Sequence, residues 1–218
     1  MYVPSHFEES NESELLEFIE TFPLASIVTY RQEELDSNLI PLFPLKEKNG
    51  ETKLLGHVAR SNTFWQESFE NENVLAIFRG PDSYISPNWY PGKESNKNQV
   101  PTWNYQVINV HGSLEIIDNS KFVRGVVARL VTKHERDLPK PWRITDSDKI
   151  FIEDMIANIV GIRISIKKVV GKFKLSQNRT KEDRLGVASQ LANSGKDGLC
   201  NAMRSEEDKR HGAGKLAH

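Results

Sequence analysis

The sequence predicts a mainly β protein with helices, of the α+β class, in which helices surround an antiparallel β-barrel. Many segments alternate apolar and polar residues, which is the period of a strand. Two helical patterns follow one another before the last strand, and no strand–helix–strand rhythm is present. These observations disfavour a doubly wound parallel sheet.

The first elements are a helix and three strands. Asn11, with Glu14 three residues later, resembles a capping box, and apolar residues then follow at helical spacing, so we predict a helix over 12–21. After Pro23 the period changes to two. This predicts antiparallel strands over 24–30, 37–43 and 52–59.

The remaining elements alternate between short strands and helices. A short helix over 61–69 has Ser61 or Asn62 as its N-cap. Further strands are predicted over 74–79, 83–87, 103–117 and 160–175. Helices are predicted over 119–135, over 146–159 with Asp146 or Ser147 as cap, and over 180–192 from Thr180.

The composition fits one folded domain. Of 218 residues, 38% are hydrophobic and 27% charged, which argues against wholesale disorder. We expect a domain over 1–192 and a polar, weakly ordered tail over 193–218, with at most a short helix around 202–209.

The compartment is predicted from what the sequence lacks. No apolar run approaches the ~20 residues of a membrane helix, and the first residues do not resemble a secretory signal. The sequence has one cysteine, Cys200, so no intramolecular disulfide can form. We therefore expect a cytoplasmic protein with no membrane partner.

The six histidines are not at ligand spacing, so we predict no metal site.

The segment GHVARSNTFW, residues 56–65, ends a strand and begins a helix. Amides at a helix N-terminus attract anions. Arg60 can add a bidentate bond, and Ser61 and Asn62 can complete a phosphate cradle. An ordinary capped helix with a solvated Arg60 explains the same residues, and spacing alone favours that simpler interpretation.

Five large aromatic residues surround a loop rich in Pro, Gly, Asn and Lys. They are Tyr84, Trp89, Tyr90, Trp103 and Tyr105. Tyr and Trp gather both at homodimer interfaces and in ligand pockets. Composition does not choose between the two, and a cleft between subunits would satisfy both.

A basic stretch over 163–174 has five basic residues and no acid. Such a stretch fits a nucleic-acid footprint, although an edge strand protected by lysines is the commoner explanation. The formal net charge of −1 gives no overall attraction to nucleic acid. No helix-turn-helix is evident, so DNA binding is possible but not predicted by a motif.

Several motifs resemble one family. GHVARSN at 56–62, VLAIFRGPDSYISPNWY at 74–90, VPTWNYQVINVHG at 100–112 and KLSQNR at 174–179 are similar to the PaiB family of FMN-binding negative transcriptional regulators. The similarity runs in order from residue 1 to about 192.

This resemblance implies an FMN-binding split β-barrel and a homodimer with the flavin at the subunit interface. Matching positions imply that an early strand contacts the isoalloxazine through its backbone, that the strand-to-helix corner holds the phosphate, and that the aromatic loop forms the cleft. The implied cofactor-binding residues are Asn38, Leu39, Ile40, His57, Arg60, Ser61, Asn62, Trp103 and Tyr105.

Two functions remain open at this point, beside the interpretation that the protein is a dimer with a vestigial, empty cleft. One is a repressor that responds to flavin. The alternative is a flavin-dependent oxidoreductase or a haem-handling enzyme on the same fold, although the sequence contains no catalytic constellation. The motif at 174–179 is either a structural lock of the last strand or part of a ligand site.

Overall fold

The computed structural model of the chain describes residues 1–31, 33–66, 72–95 and 97–215. Its strands are β1 (Glu8–Glu9), β2 (Leu24–Arg31), β3 (Glu34–Pro41), β4 (Phe43–Lys46), β5 (Thr52–Ala59), β6 (Glu72–Ile85), β7 (Thr102–Ile117) and β8 (Ile159–Lys174). Its helices are α1 (Glu12–Thr21), α2 (Thr63–Gln66), α3 (Ser120–Glu135), α4 (Lys149–Ala157), α5 (Lys181–Asn193) and α6 (Asp197–Lys215).

The strands form one eight-stranded sheet. Their order is β3-β2-β6-β7-β8-β5-β4, and β1 pairs with β8. The pairs β2–β3, β2–β6, β4–β5 and β5–β8 are antiparallel. Because β3 ends this order, one edge of the sheet is the outer strand of the β2–β3 hairpin.

Local sequence explains most of these elements. The Asn11 side chain accepts hydrogen bonds from the N–H groups of Ser13 at 3.0 Å and Glu14 at 3.4 Å, which confirms the predicted start of α1. On β7, Ile108, Val110 and Leu114 are buried, as the period-two pattern predicted. The predicted strands and helices over 24–30, 52–59, 103–117, 119–135, 160–175 and 180–192 are confirmed within two residues.

Five predicted elements differ from the structure. The strands predicted over 74–79 and 83–87 are one strand, β6. Gly80 and Pro81 do not end it; the buried residues change from Val74, Ala76 and Phe78 to Ser83 and Ile85, so the buried face shifts by one residue, as a bulge does.

The helix predicted from Asp146 or Ser147 begins later. The carboxylate of Asp148 accepts hydrogen bonds from the N–H groups of Ile150 and Phe151 at 2.9 and 3.0 Å, so Asp148 is the N-cap of α4. The strand predicted over 37–43 is divided between β3 and β4. The helix predicted over 61–69 begins at Thr63, and its last three positions lie outside the described residues.

The chain divides into two compact units. The first, here called the hairpin unit, consists of residues 16–78 and 109–169. In it, α3 packs on β4 and β5 through a cluster of buried apolar side chains, Phe43, Leu55, Val126 and Leu130. This cluster fixes α3 against the sheet because each side chain is removed from water.

The second, here called the terminal unit, consists of residues 1–15, 79–108 and those from 170 onward. There, α5 packs against α6, and Leu199, Cys200 and Met203 of α6 are buried. We expected a polar tail with at most a short helix, but these three apolar residues recur at helical spacing and give α6 a face to bury. The division of the chain at residue 193 into domain and tail stays a prediction.

Candidate functional site

The corner between β5 and α2 is built around Asn62. Its side-chain oxygen accepts a hydrogen bond from the N–H of Phe64 at 2.8 Å, so Asn62 is the N-cap, while Ser61 is exposed beside it. The Asn62 amide also donates to the side-chain oxygen of Asn38 at 3.1 Å. Two predicted site segments, the strand at 38–40 and the corner at 57–62, therefore meet in the hairpin unit.

The strand at 38–40 presents its residues in opposite directions. Asn38 is half-buried and reaches the corner, and Ile40 is 3% exposed and lies in the core. Leu39 is 67% exposed on the other face. Only Asn38 and Leu39 are therefore accessible to a bound molecule through their side chains.

Arg60 is held by a partner that the sequence analysis did not identify. Its two terminal nitrogens donate to the Asp118 carboxylate at 2.8 and 2.6 Å, and its Nε donates to the carbonyl of Ala157 at 2.6 Å. These hydrogen bonds to Asp118 raise the pKa of Arg60, and the same bonds lower the pKa of Asp118. The guanidinium is thus already engaged bidentately, and any phosphate bound at Arg60 would have to share it with Asp118.

His57 is set into β5 with a buried imidazole. Its Nδ1 is removed from solvent and has no hydrogen-bond partner within the described part of the chain. Burial lowers the pKa of His57 below its ordinary value of 6.5. The ring is therefore neutral near neutral pH, and it offers a hydrogen bond rather than a positive charge.

The two aromatic site residues belong to the terminal unit. Trp103 is 53% exposed and meets Tyr84 edge to face, with 6.3 Å between ring centroids. Tyr105 is half-buried, and the Lys172 ammonium lies 5.4 Å from its ring centroid. The predicted site residues are therefore divided: the seven from Asn38 to Asn62 lie in the hairpin unit, and Trp103 and Tyr105 in the terminal unit.

The motif KLSQNR binds the motif VPTWNY. Lys174 donates to the Trp103 carbonyl at 2.6 Å and to the Thr102 hydroxyl. Ser176 and Asn104, both buried, exchange hydrogen bonds of 2.9 and 3.2 Å. Burial, followed by the charges of Lys172 and Arg179, lowers the pKa of Lys174.

The rest of the motif also bonds to its own unit. Arg179 donates to the Gln99 side chain at 2.6 Å and lies 5.0 Å from the centroid of the Tyr90 ring. Gln177 accepts from the N–H of Leu175 at 2.7 Å. Of the two interpretations left open by the sequence, these contacts favour the structural lock.

Most of the basic stretch at 163–174 is engaged within the protein. Arg163 pairs with Glu115 at 2.7 Å, Lys167 donates to a side chain at 2.8 Å, and Lys172 donates to a backbone carbonyl at 3.2 Å. Lys168 is the exposed cation of this stretch with no bond to another described residue. The stretch therefore offers less free charge to a phosphate backbone than its sequence suggests.

The described residues contain neither a metal-site cluster nor a membrane-spanning helix. No three His, Cys, Asp or Glu side chains there are grouped as a metal site requires. Within the same residues, no helix has both the length and the apolar composition needed to cross a membrane.

Comparison with known proteins identifies the family. A profile of the family described as "Putative FMN-binding domain" matches residues 1–168. The chain is 30% identical over 214 residues to "Protease synthase and sporulation protein PAI 2" of Bacillus subtilis, covering 96% of this chain and 98% of that protein. The chain belongs to this FMN-binding family, and the predicted resemblance to the PaiB family is confirmed. The family match also confirms FMN as the predicted cofactor.

Solved structures confirm the fold. The FAD and heme binding protein of Mycobacterium smegmatis aligns with a TM-score of 0.58 at 15% identity, covering 81% of this chain and 78% of that one. The flavocytochrome Anf3 of Azotobacter vinelandii aligns with a TM-score of 0.53 at 12% identity, covering 84% and 77%. The predicted class, an antiparallel split-barrel fold with flanking helices, is confirmed. At such identities the likeness extends to the fold alone.

Proposed function

We propose that this protein is a cytoplasmic homodimer that binds FMN at its subunit interface and acts as a negative transcriptional regulator. The family match supports FMN binding. The regulatory role is proposed from the resemblance to the PaiB family of negative transcriptional regulators, with which the similarity to PAI 2 agrees. One structural observation supports the interface: an apolar face on the β2–β3 hairpin is exposed next to the strand that the resemblance implies for flavin contact.

This apolar face is produced by the register of the hairpin. Tyr30 pairs with Leu35, and Ser26 pairs with Leu39, so these side chains share one side of the two strands. Leu24, Tyr30, Leu35 and Leu39 are 55, 64, 74 and 67% exposed. Single exposed apolar residues are ordinary, but a group of them on one face of an edge hairpin is typical of a contact surface. A second copy of the chain can cover this face isologously.

The corner suits part of an FMN molecule. Asn38 and Asn62 offer side-chain amides, and Ser61 offers an exposed hydroxyl. Arg60 adds charge to the corner in combination with Asp118. FMN, when bound, supplies a redox-active ring, so a regulator of this kind can respond to flavin supply or redox state.

The dimer proposal is tested by Leu35→Glu, which places a charge in the middle of the apolar face. We expect the wild type to sediment as a dimer, and the variant to sediment as a monomer with FMN affinity reduced at least tenfold. Ile150→Glu is the matched control, because Ile150 is 80% exposed on α4 and lies outside this face. If the wild type is a monomer, or if Leu35→Glu is a monomer with unchanged FMN affinity, the flavin does not bind at a subunit interface.

The phosphate position is tested by a pair of substitutions at the corner. If Arg60 holds the phosphate, Arg60→Gln lowers FMN affinity, while Asp118→Asn frees the guanidinium and does not lower it. Riboflavin, which has no phosphate, is the control ligand, and neither substitution should change its affinity for the protein. Equal effects on FMN and riboflavin would place the phosphate elsewhere.

Direct action on DNA is tested through salt dependence. A regulator that contacts DNA through the basic stretch should bind a duplex less tightly as salt rises, and Lys168→Glu should reduce the slope of that dependence by about one ion. A duplex affinity that responds to neither salt nor Lys168→Glu would show that any repression is indirect.

A further inference from the structure

A groove in the hairpin unit lies between β4 and α3 and belongs to none of the predicted site segments. Three of its sections, with volumes of about 450, 390 and 530 Å³, share two lining residues, Leu45 and Arg129. Each volume is within the range of small-ligand sites. The groove exists because α3 packs on the sheet through the cluster around Phe43 and Val126 and leaves the edge of β4 beside it open.

The floor of the groove is apolar. Phe43, Pro44 and Leu45 of β4 line it on one side, and Ala128 and Phe122 of α3 line it on the other. Leu45 and Phe122 are partly buried against the core cluster below. A hydrocarbon or aromatic group placed on this floor would lose contact with water, which stabilises binding.

The rim of the groove is cationic. Two carboxylates line it, and each is already paired: Glu20 with Lys133 at 3.4 Å and Glu47 with Arg163 at 3.6 Å. Arg129 is exposed and makes no hydrogen bond or ion pair with another described residue. The other rim cations without a partner among the described residues are Lys46, Lys48 and Lys121. The rim therefore carries positive charge that the protein itself does not neutralise.

Gly125 opens the groove at the middle of α3. A Cβ added there would have one described neighbour within 4 Å outside the helix backbone, the Arg129 Nη1 at 3.6 Å. No packing contact therefore requires glycine, although glycine weakens a helix interior relative to alanine. Its effect is to let a molecule in the groove approach the helix backbone beside the Arg129 guanidinium.

We propose that this groove binds an amphipathic carboxylate, whose apolar chain lies on Phe43 and Leu45 and whose anionic group pairs with Arg129. Charge complementarity selects the anion, since the rim acids are paired and Arg129 is not. A guanidinium binds a carboxylate through two parallel hydrogen bonds, which fixes the head group while the apolar floor accepts the chain.

The probe for this proposal is dodecanoate, titrated calorimetrically into the full-length protein. Dodecyltrimethylammonium, with the same chain and the opposite charge, is the control ligand. We expect dodecanoate to bind and dodecyltrimethylammonium to bind at least tenfold more weakly. Equal binding of the two would overturn the proposal, because the cationic rim would then play no part.

Three variants locate the site. Arg129→Gln should weaken dodecanoate binding at least tenfold, and Gly125→Leu, which fills the groove and favours the helix, should weaken it similarly. Arg124→Gln is the matched control: it removes the same charge from the same helix, but Arg124 pairs with Glu153. Equal affinities of the Arg129 and Arg124 variants would overturn the proposal. Loss of dodecanoate binding on competition with a short DNA duplex would also overturn it, in favour of a phosphate-backbone surface.

Discussion

Removal of the Ser176 hydroxyl is the most informative test of how the motif KLSQNR acts. Ser176 is 3% exposed and Asn104 is fully buried. The Asn104 amide donates to the Ser176 oxygen at 2.9 Å, and the Ser176 hydroxyl donates back to the Asn104 oxygen at 3.2 Å. In Ser176→Ala, the Asn104 amide keeps only a contact of 3.5 Å to the sulfur of Met203.

The expected cost follows from this loss. A buried polar group left without its partner costs about 1–3 kcal/mol, and a sulfur acceptor offsets little of that because it is weak. We therefore expect Ser176→Ala to lower the free energy of unfolding by about 2 kcal/mol, which corresponds to roughly 4–8 °C in melting temperature for a chain of this size.

A second substitution at the same position separates the hydrogen bonds from the backbone. Ser176 has a φ of 66°, in the left-handed region that favours glycine. Ser176→Gly loses the same bonds but relieves this strain, so it should be more stable than Ser176→Ala by about 1 kcal/mol.

Urea unfolding measures both variants, with Ser189→Ala as the control. The Ser189 hydroxyl also donates a hydrogen bond, at 3.0 Å, but it is exposed on α5. Its loss should change the free energy of unfolding by less than about 0.5 kcal/mol. If Ser176→Ala also changes the free energy of unfolding by less than about 0.5 kcal/mol, the motif KLSQNR is not a structural lock. A coupling energy near zero in a double-mutant cycle of Ser176→Ala with Asn104→Ala would refute the lock as well.

Three further predictions concern stability. Because burial lowers the pKa of His57, the unfolded chain takes up a proton below about pH 6.5 that the folded protein does not. The stability from this group is therefore complete above that pH and is lost as pH falls through the folded pKa. Between about pH 7.5 and 5.5 the urea midpoint of His57→Gln should fall less than that of the wild type, and an equal fall in the two proteins contradicts this. In Gly112→Ala the new Cβ would lie 2.5 Å from Ile164 Cγ2 and 2.6 Å from the Ser165 carbonyl oxygen, which should lower the free energy of unfolding in urea by about 1–3 kcal/mol. Gly198→Ala, whose new Cβ would have Pro81 as its nearest neighbour at 3.4 Å, should not lower it. Equal stabilities of the two variants would contradict the packing argument. Glu207→Gln removes the charged partner of the largely buried Arg184 at 2.6 Å and should lower the free energy of unfolding by about 3 kcal/mol. Asp82→Asn, in the exposed pair with Arg79, should lower it by less than about 0.5 kcal/mol, and similar costs for the two would be evidence against burial as the cause.

The strands and helices that have one wet and one dry face were predictable from the sequence. The pattern of β7 is an example, since Ile108, Val110 and Leu114 alternate with polar residues and are buried. The break predicted within β6 was wrong, because Gly80 and Pro81 usually end a strand but here shift its buried face. The length of α6 was underestimated because its charged residues outnumber the few apolar ones that pack.

The candidate site was predictable in part. The corner at 57–62 was selected from its own residues as well as by resemblance, and the strand at 38–40 by resemblance alone. The hydrogen bond between Asn38 and Asn62 shows that the two segments meet. The engagement of Arg60 by Asp118 was not predictable, because the two residues are 58 positions apart and no local pattern connects them. Similarly, only the fold shows that Lys174 and Ser176 bond to the segment around Trp103 and Asn104.

The measurement that tests the central claim most directly is the absorption spectrum of the purified protein before and after addition of FMN, with flavin fluorescence quenching to give the stoichiometry. The proposed function predicts flavin bands and saturation at one FMN per chain, which is two per dimer. A protein that shows no flavin bands and does not quench added FMN would contradict FMN binding.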